Sequence, residues 1–405
     1  MRILFLLFVL LVVAYAPVSI AYSLPFRRVL KAATALALFF LAVGIQVVLF
    51  AGVLPRAVLL PAAWISGTLI FATPLLIVRD LALLVLWKRG KKPGKLPMRA
   101  LAGILVATAV LAAWGEICAV RPPEVRRLEL IRDIPRALDG FKIVYISDTH
   151  ISRTSSPNRL WTVVCRANAR KPDVILLGGD LGDLNPPEIR PNMHQLGDLH
   201  ARYGVYSSPG NHEYFRGFDE WIEFLDSVGI ETLLNRHVVI EHNGAKIVIA
   251  GLPDQNKDSQ WHAGREEPDM EKTLRGAPAG APVILLEHQP RFARENAEYG
   301  VTLQLSGHTH GGMIAGLPAL LVKFANKGFV SGRYDVNGMT LYVSNGAGLW
   351  NGFMFRLGVP SEITEIVLRS SEEAEPEEQA KAEEAGDGPA KPEKAEEAGD
   401  EQAAD

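Results

Sequence analysis

The chain contains 405 residues, of which 48% are hydrophobic and 21% charged, and its formal net charge is −3. It is longer than one typical domain and very hydrophobic for a soluble protein, so these values exclude a single small soluble domain. Cys118 lies in an apolar segment and Cys165 in a helical pattern, so we predict no disulfide, and the cysteines do not indicate the compartment.

Four apolar segments occupy the first 121 residues. Each is about 20 residues or longer, the length that a helix needs to cross a bilayer. They are Ile3–Tyr22, Ala32–Val53, Ala57–Val78 and Ala100–Val120. We therefore predict a transmembrane region of four helices over residues 1–121. An alternative for the first segment is a signal peptide, because Met1 and Arg2 precede an apolar stretch, but the placement of the charged loops argues against it.

Charged residues within these segments are few. Arg79 and Asp80 interrupt the third apolar run, which continues to Trp87, and we expect a tilted helix with an ion pair at the interface. Glu116, near the end of the fourth segment, is the only other acid in the spans. Because transporters and pumps usually need buried charges along their path, this pattern favours a membrane anchor.

The charge of the predicted loops indicates the topology. Nine lysines and arginines lie in the first and third loops, which are on one side of a four-span region. They are Arg27, Arg28, Lys31, Lys88, Arg89, Lys91, Lys92, Lys95 and Arg99. The positive-inside rule makes that side cytoplasmic, so the remainder of the chain is expected outside the cytoplasm. Four arginines after the last span, from Arg121 to Arg132, weaken this indication.

Residues 122–138 are expected to form a linker, and five short motifs follow it. Each motif comes after an apolar run that is typical of a buried strand. The motifs are Asp148-Thr149-His150, Gly179-Asp180, Gly210-Asn211-His212-Glu213, His288 within Leu-Leu-Glu-His-Gln-Pro, and Gly307-His308-Thr309-His310-Gly311-Gly312. Carboxylate, amide and imidazole groups bind divalent cations, so the motifs predict a metal site at the strand ends.

The residue types suit hydrolysis of a phosphate ester by two cations. Two ions roughly 3.5–4 Å apart make water nucleophilic at neutral pH and neutralise the phosphoryl oxygens. One carboxylate must contact both ions, and Asp180 is the candidate, since the preceding glycines allow a tight turn after the strand. Asp148 and His150 are two residues apart, so in an extended segment both could face one cation. His308 and His310 repeat this spacing.

With the five motifs intact and in order, residues 139–369 resemble the calcineurin-like metallophosphoesterase superfamily, whose pattern is D-x-H, GD, GNH-[DE], H and GHxH. The resemblance implies an α/β fold, a four-layer α/β/β/α sandwich, preceded here by the four-span helical region. It also implies two ions, manganese, iron or zinc, with one shared ligand. The first ligand set is Asp148, His150, Asp180 and His310, and the second is Asp180, Asn211, His288 and His308.

The resemblance leaves His212 off the metals. In the family this histidine stabilises the transition state or protonates the leaving oxygen, which suits imidazole near neutral pH. The Gly307 motif and Tyr342–Gly348 resemble a membrane-associated, phosphodiesterase-like bacterial subgroup, and the apolar segments are similar to transmembrane proteins with a metallophosphoesterase domain. Met313 and Asn345 replace the glutamine and arginine usual in that subgroup, so its substrate contacts are not carried over.

Further polar residues lie outside the ligand sets. Asp183, Asp254 and Glu213 either orient ligand histidines or form turns, and we weigh the two equally. Arg356 could bind a phosphate, but a surface ion pair is the favoured interpretation. Five histidines match no motif and are expected to be solvated or to pack in the core: His194, His200, His237, His242 and His262.

Two segments of biased composition remain. Ser370–Asp405 has 14 acidic residues against 3 lysines, so we predict a disordered acidic tail. The tail carries net −11, which leaves net +8 for the rest of the chain. This positive charge would favour binding of anionic lipids and phosphate substrates. The two basic loops alone, however, would also account for the positive charge. The apolar stretch Met313–Phe324 has two interpretations: core packing, which we favour, or a lip that admits a lipid tail.

The sequence therefore predicts a membrane-anchored, binuclear-metal phosphoesterase that hydrolyses a phosphodiester or pyrophosphate bond in a lipid or cell-envelope intermediate. Alternatives are a phosphomonoesterase, a nucleotide phosphodiesterase or, from another class, a non-catalytic membrane sensor or scaffold that retains the fold. Retention of His212, which no metal needs, favours the enzyme. The expected partners are a phosphate ester, including a lipid-linked one, and membrane lipids, and we expect no nucleic acid.

Overall fold

The structure is a computed structural model that describes residues 9–51, 54–91, 94–152, 155–156, 158–255, 262–350 and 353–371. The first eight residues, with part of the first predicted span, lie outside the described residues. So does the acidic tail after residue 371.

Apolar helices form the N-terminal part of the described chain. A π-helical turn over Leu11–Tyr15 leads into the first of four helices. These are α1 (Ala16–Ser23), α2 (Arg28–Ala51), α3 (Arg56–Lys88) and α4 (Leu96–Val120). The described residues contain three helices long and apolar enough to span a membrane, α2 to α4, and a shorter apolar segment over Leu11–Ser23. This agrees with the predicted region of roughly four spans.

The ion pair between Arg79 and Asp80 lies inside α3, which is continuous for 33 residues. The Arg79 guanidinium is 2.7 Å from the Asp80 carboxylate and donates to the hydroxyl and carbonyl oxygens of Ser19 in α1. Asp80 also accepts hydrogen bonds from the hydroxyls of Ser19 and Tyr15. The predicted ion pair is therefore present, and its additional partners tie α3 to α1.

Two six-stranded mixed sheets follow the helices. In chain order, the strands of the described residues are β1 (Glu124–Arg132), β2 (Lys142–Ile146), β3 (Val174–Leu177), β4 (Val205–Ser207), β5 (Glu231–Thr232), β6 (Arg236–His242), β7 (Ala245–Gly251), β8 (Val283–Leu286), β9 (Leu303–Ser306), β10 (Gly332–Val336), β11 (Met339–Val343) and β12 (Glu362–Ser370). The first sheet has the order β1-β12-β2-β3-β4-β5, and the second has the order β10-β11-β9-β8-β7-β6.

Short helices connect these strands. They are α5 (Arg159–Asn168), α6 (Pro186–Met193), α7 (Asn211–Phe215), α8 (Phe218–Ser227), α9 (Met270–Leu274), α10 (Ala293–Asn296) and α11 (Leu317–Ala325). Single 3₁₀ turns cover Arg136–Leu138, His194–Asp198, Pro290–Phe292, Ala297–Tyr299 and His310–Gly312.

Alternating side chains of the central strands define the layers. Ile143 and Tyr145 of β2 pack between the two sheets, whereas Val144 and Ile146 pack against the helices outside the first sheet. Because both faces of such a strand are buried, its sequence is continuously apolar. Met270 and Ala293 belong to the helical layer on the second sheet. The predicted four-layer α/β/β/α sandwich is confirmed.

The segment expected to be a linker contains a strand. Strand β1 runs parallel to β12 from the pair Glu124 and Glu362 to the pair Arg132 and Ser370. Of its side chains, Leu130 is buried and most others are exposed. An edge strand of this kind is held by backbone hydrogen bonds and carries charged residues, so it lacks the apolar pattern that reveals central strands.

A short loop, residues 353–357, joins the sandwich to the membrane helices; we call it the bundle loop. Met354 packs against Leu59 and Ala63 of α3. Phe355 lies so close to Gly67 of α3 that a Cβ there would be 2.2 Å from its ring. The backbone N–H of Arg356 donates to the carbonyl of Gly115 in α4 at 3.0 Å. The sandwich therefore contacts the helices through the bundle loop as well as through the covalent connection after α4.

Candidate metal centre

The five motifs meet at the carboxyl ends of parallel strands from both sheets. In the first sheet, β2, β3 and β4 are parallel, and in the second sheet β8 and β9 are parallel. Asp148 and His150 follow β2, Asp180 follows β3, Asn211 follows β4, His288 follows β8, and His308 and His310 follow β9. Because the carboxyl ends of parallel strands share one edge of a sheet, the topology brings these seven residues together.

The backbone at the site is unusual. Asp148, His150, Asp180, His308 and His310 all have positive φ, between 42° and 68°. Asp148 and His150 therefore do not share a face through an extended segment, and that part of the sequence argument is wrong. Their conformation is held by hydrogen bonds between loops, from Asp148 N to Gly179 O and from His150 N to Asp180 O. Strained backbone of this kind is often found at functional sites.

Six of the seven candidate ligands, all except Asn211, form two groups. One group contains Asp148, His150 and His310, and the other contains Asp180, His288 and His308; in each, the possible ligand atoms lie within 4.8 Å of one another. The Asp180 Oδ2 atom is 3.1 Å from His288 Nε2 and 3.8 Å from His150 Nε2. One carboxylate thus lies between the two groups.

Buried polar atoms at the centre lack partners of their own. Asp148 Oδ2 and Asn211 Oδ1 are buried and make no hydrogen bond within the described residues. His150 Nδ1 donates to the Asp183 carboxylate and His288 Nδ1 to the Gly178 carbonyl, each at 2.7 Å. With the proton on Nδ1, the Nε2 lone pair of each imidazole is available to a cation. These residues therefore fit a pair of divalent metal ions.

Two glycines keep room for the carboxylates. A Cβ at Gly210 would lie 2.2 Å from Asp180 Oδ1, and a Cβ at Gly307 would lie 2.1 Å from Asp148 Oδ2. Any larger residue would displace the carboxylate that it faces. The glycines of these two motifs thus act by leaving space for the neighbouring loop.

Asp183 connects two histidines of the site. One of its carboxylate oxygens is 2.7 Å from His150 Nδ1 and 2.8 Å from His212 Nδ1. His212 Nε2 is in turn 4.0 Å from Asp180 Oδ2, and its side chain is 15% exposed. His212 forms a third group with His150 and Asp180. Of the two roles considered for Asp183, the structure favours orienting histidines over forming a turn.

Glu213 fastens the loops that follow β3 and β4. Its buried carboxylate accepts hydrogen bonds from the backbone N–H groups of Asp180, Leu181 and Gly210, at 2.7 to 2.8 Å. Burial and the charge of Asp180 raise the Glu213 pKa while these hydrogen bonds lower it, and the pKa is about 7. Glu213 therefore positions the backbone that carries Asp180.

Burial and charge shift the pKa values of the imidazoles. Burial lowers the pKa of His308 to about 4 and that of His310 well below its usual value, so both are neutral, as a metal ligand must be. Burial also lowers the pKa of His288, but Asp180 and Asp148 raise it further, and the net pKa is well above its usual value. A metal ion bound there would take the place of that proton.

His212 has the pKa of a proton donor. Burial lowers its pKa, but the charges of Asp180 and Asp183 raise it more, to about 9. A cation bound to Asp180 would offset the charge of that carboxylate and lower the His212 pKa towards neutral pH. His212 is thus protonated beside the candidate ligands, and it is partly open to solvent.

The favoured interpretation of Arg356, a surface ion pair, is wrong, because the side chain is buried and forms no ion pair with any of the described residues. The alternative, that Arg356 binds a phosphate, stays a prediction. Arg356 is 1% exposed, and its Nη2 donates to the carbonyls of Asn345 and Gly348 at 2.7 and 2.9 Å. It also lies 3.4 Å from His310 Nδ1. Arg356 therefore ties the loop after β11 to the bundle loop, next to a candidate ligand.

Most of the remaining histidines pack away from the centre, as expected. His242 contacts Tyr203 and Phe141, and His262 stacks on Tyr214 with ring centroids 3.9 Å apart. Asp254 contacts His262 and accepts a hydrogen bond from Gln289, so it supports the loop after β8, and in the described part of the chain it makes no hydrogen bond to a ligand histidine.

Arg159 is a supporting residue that the sequence analysis missed. Its Nη2 donates to the Ala347 carbonyl at 2.8 Å, and Ala347 N donates to the carbonyl of Ser147, which precedes Asp148. Nothing in the sequence around a lone arginine at a helix start signals this contact, because its partners are backbone carbonyls from distant segments.

Comparison with known proteins agrees with this geometry. A family model described as calcineurin-like phosphoesterase matches residues 141–312. A transmembrane protein with metallophosphoesterase domain from Danio rerio is 36% identical over 275 residues, which cover 66% of this chain and 62% of that protein. The matched region thus spans less than two thirds of the length of that relative.

Two further relatives match over a larger share of their own length. A protein of the same description from Bos taurus is 33% identical over 305 residues, 71% of this chain and 68% of that protein. An uncharacterized metallophosphoesterase of Bacillus subtilis is 34% identical over 248 residues, 59% of this chain and 82% of that protein.

Proposed function

This chain belongs to the calcineurin-like metallophosphoesterase family, and we propose that it is a membrane-anchored enzyme that hydrolyses a phosphodiester or pyrophosphate bond with two divalent cations. The observation that carries the proposal is the position of Asp180. Its carboxylate lies 3.1 Å from His288 of one ligand group and 3.8 Å from His150 of the other. A single carboxylate between two ligand groups is what a two-metal site requires.

The residues divide between the ions as follows. One ion would be held by Asp148, His150, Asp180 and His310, and the other by Asp180, Asn211, His288 and His308. When bound, such a pair supplies charge neutralisation for the phosphoryl oxygens and lowers the pKa of water. Because Asp183 and the Gly178 carbonyl accept hydrogen bonds from Nδ1 of His150 and His288, the Nε2 atoms of both rings would be available to hold the ions.

His212 supplies the proton for the leaving oxygen. It is held by Asp183 at 2.8 Å, it is partly exposed, and its raised pKa keeps a proton on the ring. A general acid needs contact with the substrate and a transferable proton near neutral pH. A scaffold without turnover would need no protonated histidine at this position, so His212 supports an enzyme.

Helix α11 supports a substrate with an apolar portion. It has no buried residue, so core packing, the favoured interpretation of Met313–Phe324, is wrong for this helix. Its outer face consists of four large apolar side chains that are between 46% and 75% exposed: Leu317, Leu320, Leu321 and Phe324. The helix follows the His310–Gly312 turn within a few residues, and its Ala319 lies against Gly312, so the helix is next to the metal centre.

The start of α11 is close to the level of the membrane surface. Ala315 N donates to Leu357 O, and Leu357 packs beside Gly115 of α4. Gly115 is about 7.5 Å before the end of α4, since a helix rises about 1.5 Å per residue. The neighbouring Trp114 is exposed, and its ring lies under the Arg121 guanidinium. Tryptophan is enriched at membrane interfaces. A lipid-linked phosphate ester could therefore enter from the bilayer.

The fold also supports a site outside the cytoplasm. Helix α3 begins and α4 ends beside the sandwich, because Arg56 and Val120 line the same cavity as Arg159 of α5. The basic loop between α3 and α4 is consequently at the far end of the bundle. If that loop is cytoplasmic by the positive-inside rule, the sandwich faces outward and meets cell-envelope lipids.

The proposal is tested first at Asp180. Asp180→Asn should weaken binding of both ions and abolish hydrolysis of a small aryl phosphodiester, because one carboxylate serves both sites. Metal analysis and turnover with added manganese measure the two effects, and Asp226→Asn, an exposed aspartate on α8, is the matched control. Two bound ions together with unchanged turnover in Asp180→Asn would disprove the assignment.

The proposed role of His212 as a general acid predicts a loss of turnover without a loss of metal binding. His212→Ala should retain two ions and lose roughly 10²–10⁴ in turnover, the usual effect of removing a general acid. The loss should shrink for esters with good leaving groups, which need no proton. His200→Ala, in an exposed loop, serves as control. Loss of an ion in His212→Ala would instead make this histidine a ligand.

The α11 face predicts a preference among substrates. Leu320→Gln combined with Leu321→Gln should lower the ratio of activity on a vesicle-embedded phosphate ester to activity on a small aryl diester by about tenfold, given about 1.5–3 kcal/mol for a fully buried leucine. Val239→Gln, at an exposed apolar position of β6, should leave the ratio unchanged. An unchanged ratio in the double variant would point to soluble substrates such as phosphomonoesters or nucleotides.

The topology can be tested with reporter fusions placed after Arg369. A reporter that works only inside the cell should be silent, and one that works only outside should be active, because the nine cations of the two far loops hold that end of the bundle in the cytoplasm. The reverse result would put the metal centre in the cytoplasm.

A further inference from the structure

A cavity of about 100 Å³ lies where the membrane helices meet the sandwich. Its walls include the first residue of α3, the last residue of α4 and the first residue of α5, which are Arg56, Val120 and Arg159. It is therefore at the level where two spans leave the bilayer. It is separate from the metal centre, since none of the candidate ligands lines it.

The two arginines of this cavity are not neutralised. Arg159 is 8% exposed and donates to the carbonyls of Ala119, Arg121 and Ala347, but its Nε is buried without a partner. The Arg56 Nε is also buried without a partner. Within the described ranges, no carboxylate forms an ion pair with either guanidinium.

The surrounding charges leave the cavity positive. Burial and the charge of Arg56 lower the pKa of Arg159 to about 10, so Arg159 stays charged at neutral pH and is repelled by the Arg56 guanidinium. Glu116 of α4 acts electrostatically on Arg56, but it does not line the cavity. Buried charge without a counterion is strongly unfavourable, so an anion bound between the arginines would relieve it.

The rest of the lining indicates the kind of anion. Ser155, Ser156, Asn158 and Thr162 offer hydroxyl and amide groups beside the arginines, whose planar forks suit phosphate oxygens. The lining also includes the apolar side chains of Leu349 and Met354. A ligand that has both a phosphate and an apolar portion matches these two kinds of lining residue.

We propose that this cavity binds the phosphate group of an anionic phospholipid. Bound there, the phosphate would join α3 and α5, because one arginine comes from each. Arg159 also holds Ala347, and the neighbouring Gly348 N donates to Asp148 O. The lipid would thus fix the strand end that carries Asp148 relative to the membrane. This inference goes beyond the proposed function and does not depend on catalysis.

The test uses the purified full-length protein in neutral detergent. Phosphatidylglycerol should raise its melting temperature, and native mass spectrometry should detect bound lipid. Arg56→Gln should lower the apparent lipid affinity about tenfold, because a charge-assisted hydrogen bond is lost. Since the Arg56 side chain makes no hydrogen bond in the described structure, the variant should fold, and Arg56→Lys should recover part of the effect.

Matched variants and ligands make the outcome decisive. Arg89→Gln removes one charge from the opposite end of the same helix and should keep the lipid effect, as should Asp180→Asn at the metal centre. Inorganic phosphate is titrated in parallel; an Arg56-dependent shift with phosphate but none with the lipid would assign the site to a soluble phosphate and overturn the lipid source. Equal lipid effects in the parent, Arg56→Gln and Arg89→Gln would overturn the site.

Discussion

The contact between Glu213 and three backbone N–H groups is the interaction on which the metal centre depends. Asp180, Leu181 and Gly210 all donate to this buried carboxylate, so the loops after β3 and β4 are held together. Asp180 then lies between two ligand groups, each of which combines residues that follow strands of both sheets. Without Glu213, three buried donors would lack a partner, at about 1–3 kcal/mol each, and the loops would separate.

Like charges and strained backbone both occur at the centre. The buried carboxylates of Asp148 and Asp180 repel each other, and five of the ligand candidates have left-handed backbone. The surrounding sandwich, with its continuously apolar strands, holds these loops in position. Such preorganisation suits a site whose positive charge is supplied by bound cations, since the chain itself supplies the negative and neutral donors.

The membrane helices are part of this arrangement. The bundle loop inserts Met354 and Phe355 between them, and the next residue, Arg356, holds the loop that contacts Asp148 and His310. On the same side of the molecule, α11 presents its apolar face and the arginine-lined cavity opens between the spans and α5. The candidate metal centre is thus connected to the membrane helices through the bundle loop.

The residues show which features could be predicted from sequence. The central strands and the spans were recognised because burial on all sides requires continuous apolar runs, and the candidate ligands were selected because their types and order form a specific pattern. Edge strand β1 and the exposed helix α11 were not, since one depends on backbone pairing and the other has an apolar sequence that resembles a core helix. Arg356 was misinterpreted and Arg159 was missed, because the hydrogen-bond partners of both are backbone carbonyls of distant segments.

By itself, the sequence determined the identity of the chemical groups, the apolar segments that must leave water and the family fold that carries them. Only the tertiary structure decided how these groups meet: which imidazole nitrogen is free, that Asp183 serves both His150 and His212, and that the sandwich packs directly on the membrane helices. The reason is that composition and periodicity record the environment of each residue, whereas contacts between distant segments depend on loop geometry that no local pattern encodes.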